Sequence, residues 1–177
     1  MSALSRVLKR LLRRRDPVKA ARRAGVRIGR GCRLIGDVKF GSEPYLVALG
    51  DHVSVTSSAF VTHDGGVWVF REKHPDLDVI APIRVGNNVF IGADCLILPG
   101  VTIGDDVVIG ARSVVSRDIP AGCVAAGTPA KPIRPLEAYY QKVLDCSVPT
   151  KSLAPADKKA FLLKQFGLDG EQRGAGG

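Results

Sequence analysis

Aromatic residues are scarce in this chain: 6% of its 177 positions, with a single Trp and a single Met. Large rings therefore cannot fill its core, and aliphatic side chains must. Cysteine is sparse too. Cys32, Cys95, Cys123 and Cys146 form no CxxC pair and have no histidine at zinc-ligand spacing. That argues against a disulfide scaffold or zinc ribbon and predicts free thiols in a reducing compartment. The first apolar stretch is broken by Arg or Lys every two or three residues, so it reads neither as a signal peptide nor as a membrane span. Acidic residues are nearly missing from the first 33 positions, which hold one of the 17 acids but 12 of the 26 Lys and Arg. The net charge of +9 thus belongs to one end, and the remaining positions sum to −2. A basic tail of this kind is not a nucleic-acid-binding face spread over the fold. No Gly-rich nucleotide-triphosphate loop is present.

Val, Ile and 20 Gly fill the middle of the chain, with helix formers gathered at the two ends. β-Branched residues suit pleated strands and glycine suits tight corners. Stepping in sixes through 83–116 meets Val85, Ile91, Ile97, Ile103, Ile109 and Val115 without a gap. Gly follows at 86, 92, 104 and 110, and Ile83, Val89, Cys95, Val101, Val107 and Ser113 stand two places before the aliphatic series. A period of six fits neither a helix nor a simple alternating strand. It fits a solenoid that turns a corner at every repeat and sends one aliphatic residue per side to a narrow axis. Three sides close one coil. The period appears earlier at Ile28, Leu34 and Phe40 and resumes at Leu49, Val55 and Val61 after a three-residue slip at 42–44. The slip marks a bulge or a small corner insertion. Only 62–82 lacks the repeat.

The run IRVGNNVFIGADCLILPGVTIGDDVVIGARSVVSRDIPAGCVAAGTPAKPIR resembles the hexapeptide-repeat acyltransferases. With FVTHDGGVWVFR it is similar to sugar O-acetyltransferases that modify bacterial surface polysaccharides. The likeness covers about 26–136. It implies an all-β solenoid, specifically a left-handed parallel β-helix of about four to five coils. Connection rules alone would favour a right-handed coil, so the hand comes from the resemblance. It also implies acetyl-CoA as acyl donor and a homotrimer with active sites between subunits.

A loop that interrupts a solenoid leaves the stacked core and forms a binding surface. This one opens with Thr62-His63-Asp64-Gly65-Gly66. A hydroxyl attacking a thioester needs a base beside it, and imidazole is well matched to that work. The resemblance carries the general-base role onto His63. A base needs a group to hold its tautomer, for which Glu43 and Asp64 are the candidates. Asp64 reads equally as a turn former. Asp64, Trp68 and Arg71 are expected on the saccharide side, although Trp68 and Phe70 could equally pin the loop to a neighbouring subunit. His52, His63 and His74 are spaced by eleven, which brings no common face in a six-period coil. No metal site is expected.

The thin pantetheine arm of the donor needs backbone uncovered by bulky side chains. Gly92-Ala93 and Gly110-Ala111 stand at equivalent corners one coil apart, although small residues are also required at any tight corner. The resemblance assigns Ser116, Arg117, Lys131 and Arg134 to the nucleotide end of the cofactor, with ordinary surface charge as the competing reading for the arginines.

The expected organisation is a basic amphipathic helix over 1–24, the β-helix over 25–134 with its active-site loop at 62–82, helices over 135–168 and a disordered tail over 169–177. In 2–15, Leu4, Val7, Leu8, Leu11 and Leu12 make a helical stripe backed by Arg and Lys. Two roles stand side by side for it: peripheral contact with an anionic membrane, or a cap on the solenoid's open end. The expectation is a cytoplasmic acetyl-CoA-dependent O-acetyltransferase acting on a sugar or surface-polysaccharide precursor. Its rivals are an acetyltransferase for an amino sugar, amino acid or antibiotic, and a non-catalytic β-helix scaffold.

Overall fold

The structure, a computed structural model, describes residues 16–168. The stripe at 2–15 and the tail at 169–177 lie outside the described residues. Residues up to Tyr140 form one compact unit and those from Gln141 onward another.

The first unit is built on short strands whose alternate residues face inward. In β6 (Ile83–Val85) and β7 (Val89–Ile91) the outer residues are buried and the middle one is exposed. That is the twofold alternation of a pleated backbone. β8 (Leu96–Ile97), β9 (Thr102–Ile103), β10 (Val107–Ile109) and β11 (Val114–Val115) continue the series. Every aliphatic residue of the sixfold series from Val85 to Val115 is at most 4% exposed. Upstream lie β1 (Arg27–Ile28), β2 (Arg33–Ile35), β3 (Val47–Leu49), β4 (Ser54–Thr56) and β5 (Ala59–Phe60). Downstream come β12 (Cys123–Gly127) and β13 (Ala130–Pro135).

Three sheets result: β1-β3-β6-β9, β2-β4-β7-β10-β12-β13, and β5-β8-β11. Every ladder is parallel except β12 with β13. From β3 to β11 the chain visits the first, second and third sheet in strict rotation. A chain that returns to each sheet one strand further along is a parallel β-solenoid.

Register shows where the period holds. Val85 pairs with Ile103 and Ile91 with Ile109, each partner three repeats further along the chain. Leu34 pairs with Val55, which overshoots three repeats by the length of the slip. Leu49 pairs with Val85, so the interrupting loop is looped out of the ladder altogether. The slip forms a corner insertion, a 3-10 turn at Pro44–Leu46, and not a bulge.

One core position differs from the sixfold count, which expects Val61 on the axis. Phe60 takes that place: it pairs with Ile97, is fully buried and stacks on Phe40 with ring centroids 5.2 Å apart. Val61 is only half-buried. A phenyl column begun by Phe40 sets the side here, so the chain reaches the axis one residue early.

The corners carry polar ladders. The Asp51 carboxylate accepts from the Arg30 backbone N–H at 2.7 Å, the Asn87 side chain accepts from Asp51 N–H at 2.9 Å, and Asp105 accepts from Asn87 N–H at 2.6 Å. Each coil's side chain thus satisfies a neighbouring coil's backbone donor. His52, at φ 57 on the same corner and exposed to solvent, shares a 2.8 Å hydrogen bond with Asn88.

A short helix, α1 (Pro17–Arg23), is capped by the Asp16 carboxylate on Val18 N–H, and its Ala21 joins the core. Arg22 donates to the Ile28 and Gly29 carbonyls, tying α1 to the first coil. After β13 comes α2 (Leu136–Asp145). The second unit holds α3 (Pro155–Gln165), which buries no side chain. This helix starts at Pro155, inside the 135–168 segment expected to hold helices. The residue before proline is pushed to extended backbone, and Ala154 has ψ 154. Among the described residues no helix is long and apolar enough to cross a membrane.

Candidate active site

The interrupting loop is closed at its neck. His63 and Ile80 form an antiparallel bridge, Ala81 N–H donates to the Thr62 carbonyl at 2.9 Å, and Asp64 N–H to the Val79 carbonyl at 2.9 Å. This clasp holds His63 where the third sheet ends, next to the corner insertion of the preceding coil. Glu43 opens the 3-10 turn there without capping it by its side chain. Its carboxylate instead accepts the Thr62 hydroxyl at 2.5 Å. The same oxygen, Oε2, lies 3.4 Å from His63 Nδ1, and Ser42 Oγ lies 3.2 Å from that nitrogen. The Glu43 side chain is 16% exposed and that of His63 40%. The Thr62 hydroxyl holds the Glu43 carboxyl below the usual carboxylate range, aided by Ser42 and the nearby imidazole and opposed by partial burial.

Asp64 serves the turn: its carboxylate accepts from Gly66 N–H at 2.8 Å and caps the 3-10 helix Gly65–Phe70. Trp68, 76% exposed, and Arg71, also exposed, stand in the open part of the loop. Gly92-Ala93 and Gly110-Ala111 do stack, on the corner between the second and third sheets. A Cβ on Gly92 would lie 2.6 Å from Ala111 N, so coil spacing itself demands glycine there. Ser116 and Arg117 are exposed on a different corner, after β11, which is the His63 side of the third sheet. Lys131 and Arg134 are exposed on β13, at the end of the second sheet.

The profile described as Bacterial transferase hexapeptide (six repeats) matches residues 82–117. Protein CapG of Staphylococcus aureus is 46% identical over 166 residues, covering 92% of this chain and 96% of that protein. The chain belongs to the bacterial hexapeptide transferase family. The galactoside O-acetyltransferase of Escherichia coli is 42% identical over 105 residues, 56% of this transferase and about half (51%) of that one. Among solved structures, the hexapeptide-repeat acetyltransferase from Vibrio cholerae complexed with acetyl coenzyme A matches with a TM-score of 0.57 and 32% identity. That likeness covers 63% of this transferase and 61% of that chain.

Two site neighbours of the transferase escaped sequence reasoning, Ser42 and Thr62. Only the register of the folded chain brings them in: Lys39 pairs with Ala59, which sets 42–43 beside 62–63. A depression lined by Arg33, His52, Ser54, Asn88, Phe90 and Leu136 lies on the outer face of the second sheet, away from the His63 corner. Among the described residues no three His, Cys, Asp or Glu side chains are grouped so as to hold a metal ion.

Proposed function

We propose that this chain is an acetyl-CoA-dependent O-acetyltransferase that acetylates a hydroxyl of a sugar or surface-polysaccharide precursor, with His63 as general base. The chain is an acyltransferase and acetyl-CoA is its acyl donor. The observation that carries the reading is the approach of His63 Nδ1 to Glu43 Oε2 at 3.4 Å, at the neck of the loop that breaks the repeat. An ionised carboxylate only accepts, so the ring nitrogen facing it holds the proton. Nε2 then carries the lone pair. It takes the acceptor's proton as the hydroxyl oxygen attacks the thioester carbonyl; the new C–O bond forms, the C–S bond breaks, and the imidazolium returns the proton to the departing thiolate. A base so held contributes roughly 10²–10⁴ in rate.

Gly92-Ala93 and Gly110-Ala111 leave low backbone for the pantetheine arm, and Ser116, Arg117, Lys131 and Arg134 supply polar and cationic groups for the phosphates. Trp68 and Arg71 offer a face and a charge to the saccharide, with Asp64 shaping the turn beneath them. The small-residue corner and the His63 corner flank opposite sides of the third sheet in one chain. A second column bringing its small-residue corner to His63 would complete a cleft, which supports the homotrimer with sites between subunits. The column winds left-handed through four to five coils, and the enzyme works in the cytoplasm, where the donor is made. The Arg and Lys that back the apolar stripe at 2–15 suit an anionic membrane face. The test is acetyl transfer to a galactoside by wild type and His63→Ala, with a thermal shift on CoA alone. Equal rates in the two proteins would remove His63 from the mechanism, and no shift with CoA would remove the donor.

A further inference from the structure

Thr62 is fully buried, although its hydroxyl is polar and stands at the mouth of an exposed loop. Its backbone is held by the loop clasp, its carbonyl accepting from Ala81 N–H. Its side chain makes one directed contact, donating to Glu43 Oε2 at 2.5 Å. That oxygen is the one 3.4 Å from His63 Nδ1. Gly41, at φ 66, leaves the space this contact needs, since a Cβ there would come within 3.2 Å of Thr62 Oγ1. Two residues adjacent in sequence therefore reach one carboxylate oxygen in the preceding coil.

We infer that Thr62 is a positioning residue: its hydroxyl pins the Glu43 oxygen that faces His63 and thereby keeps the imidazole proton on Nδ1 and the lone pair on Nε2. The inference rests on His63 being the base and names what holds that base ready. A carboxylate has several rotamers, and Ser42 Oγ at 3.2 Å competes for the same ring nitrogen. A hydroxyl can either donate or accept, so Ser42 alone does not select a tautomer. The fixed carboxylate does. Without the Thr62 hydroxyl, Glu43 loses the shortest of the contacts that orient it, and the ring samples both tautomers.

The test uses the full chain with ¹⁵N-labelled histidine, comparing wild type, Thr62→Val and Thr62→Ser. Imidazole ¹⁵N shifts of His63, assigned by their loss in His63→Ala, are expected to report protonated Nδ1 in wild type and the serine variant, and mixed tautomers in the valine variant. Release of CoA from acetyl-CoA in the presence of a galactoside is expected to fall about 10- to 100-fold in kcat for Thr62→Val, part of the range attached to a positioned base. The KM for acetyl-CoA should stay within about twofold, because uniform binding is untouched. Thr62→Ser should restore kcat. If the valine variant does not fold, Thr62→Cys replaces it, a thiol being too weak a donor to substitute, with the same outcome expected. An unchanged His63 tautomer in the hydroxyl-free variant overturns the role of Thr62 whatever the rates. A fully active His63→Ala overturns the base assignment instead.

Discussion

Between Ile83 and Val115 every sixth aliphatic residue is buried, whereas between Thr62 and Pro82 only Thr62 and Val67 are. The two stretches are neighbours in sequence and obey different constraints. In the coils, each side chain on the axis meets its counterparts one coil before and one coil after, and each corner glycine meets the next backbone. In the loop, Trp68, Val69 and Phe70 are 76%, 74% and 54% exposed, and the backbone clasp at the neck fixes where the segment leaves and returns. Stability is thus concentrated in the column, and the loop is left open to change in composition without disturbing it. Thr62 and His63 sit at the join.

The contrast can be tested from its strongest consequence downward. His63→Ala should lower acetyl transfer by about 10²–10⁴, equivalent to roughly 3–5 kcal/mol of barrier, and leave the urea midpoint unchanged. A large loss of stability would mean the neck is structural. Ile97→Ala should do the reverse, removing about 2–5 kcal/mol of stability by chemical denaturation, because Ile97 is fully buried beside Phe60 and Val115. Gly92→Ala should cost about 1–3 kcal/mol, since its Cβ would press on the Ala111 backbone.

The pH dependence sharpens the picture at the join. The folded Glu43 carboxyl titrates below its ordinary range, chiefly because it accepts the Thr62 hydroxyl. Its contribution to stability is therefore complete above that ordinary range, near pH 4.3, and is lost as pH falls through the folded value. The melting advantage of wild type over Glu43→Gln should shrink on acidification below about pH 4. An advantage that grew there would reverse the assigned sign. Smallest of all, Trp68→Ala should change stability by less than about 0.5 kcal/mol while raising the KM for the saccharide. A marked drop in melting temperature would make this loop part of a buried interface.

Much of the column was legible because a sixfold period leaves a trace in every coil. The parallel solenoid and the corner glycines follow from Val85, Ile91, Ile97 and their successors. The period failed at Phe60, where stacking on Phe40 overrode the count. At the candidate site, the resemblance and imidazole chemistry pointed to His63, and Glu43 stood beside Asp64 as one of two candidate partners; the structure sets Glu43 Oε2 3.4 Å from His63 Nδ1. Ser42 and Thr62 were not nameable, since hydroxyl residues are common and only register shows which ones meet.

The order of residues alone dictated the repeat, because every side chain that must reach the axis is written into the chain at a fixed interval. The tertiary structure decided which oxygen faces which nitrogen. Glu43 and His63 lie on successive coils, and whether they touch depends on the corner insertion at Pro44–Leu46, the early arrival of Phe60 on the axis and the clasp at Ile80. Those are sums of small displacements in space that no local pattern encodes.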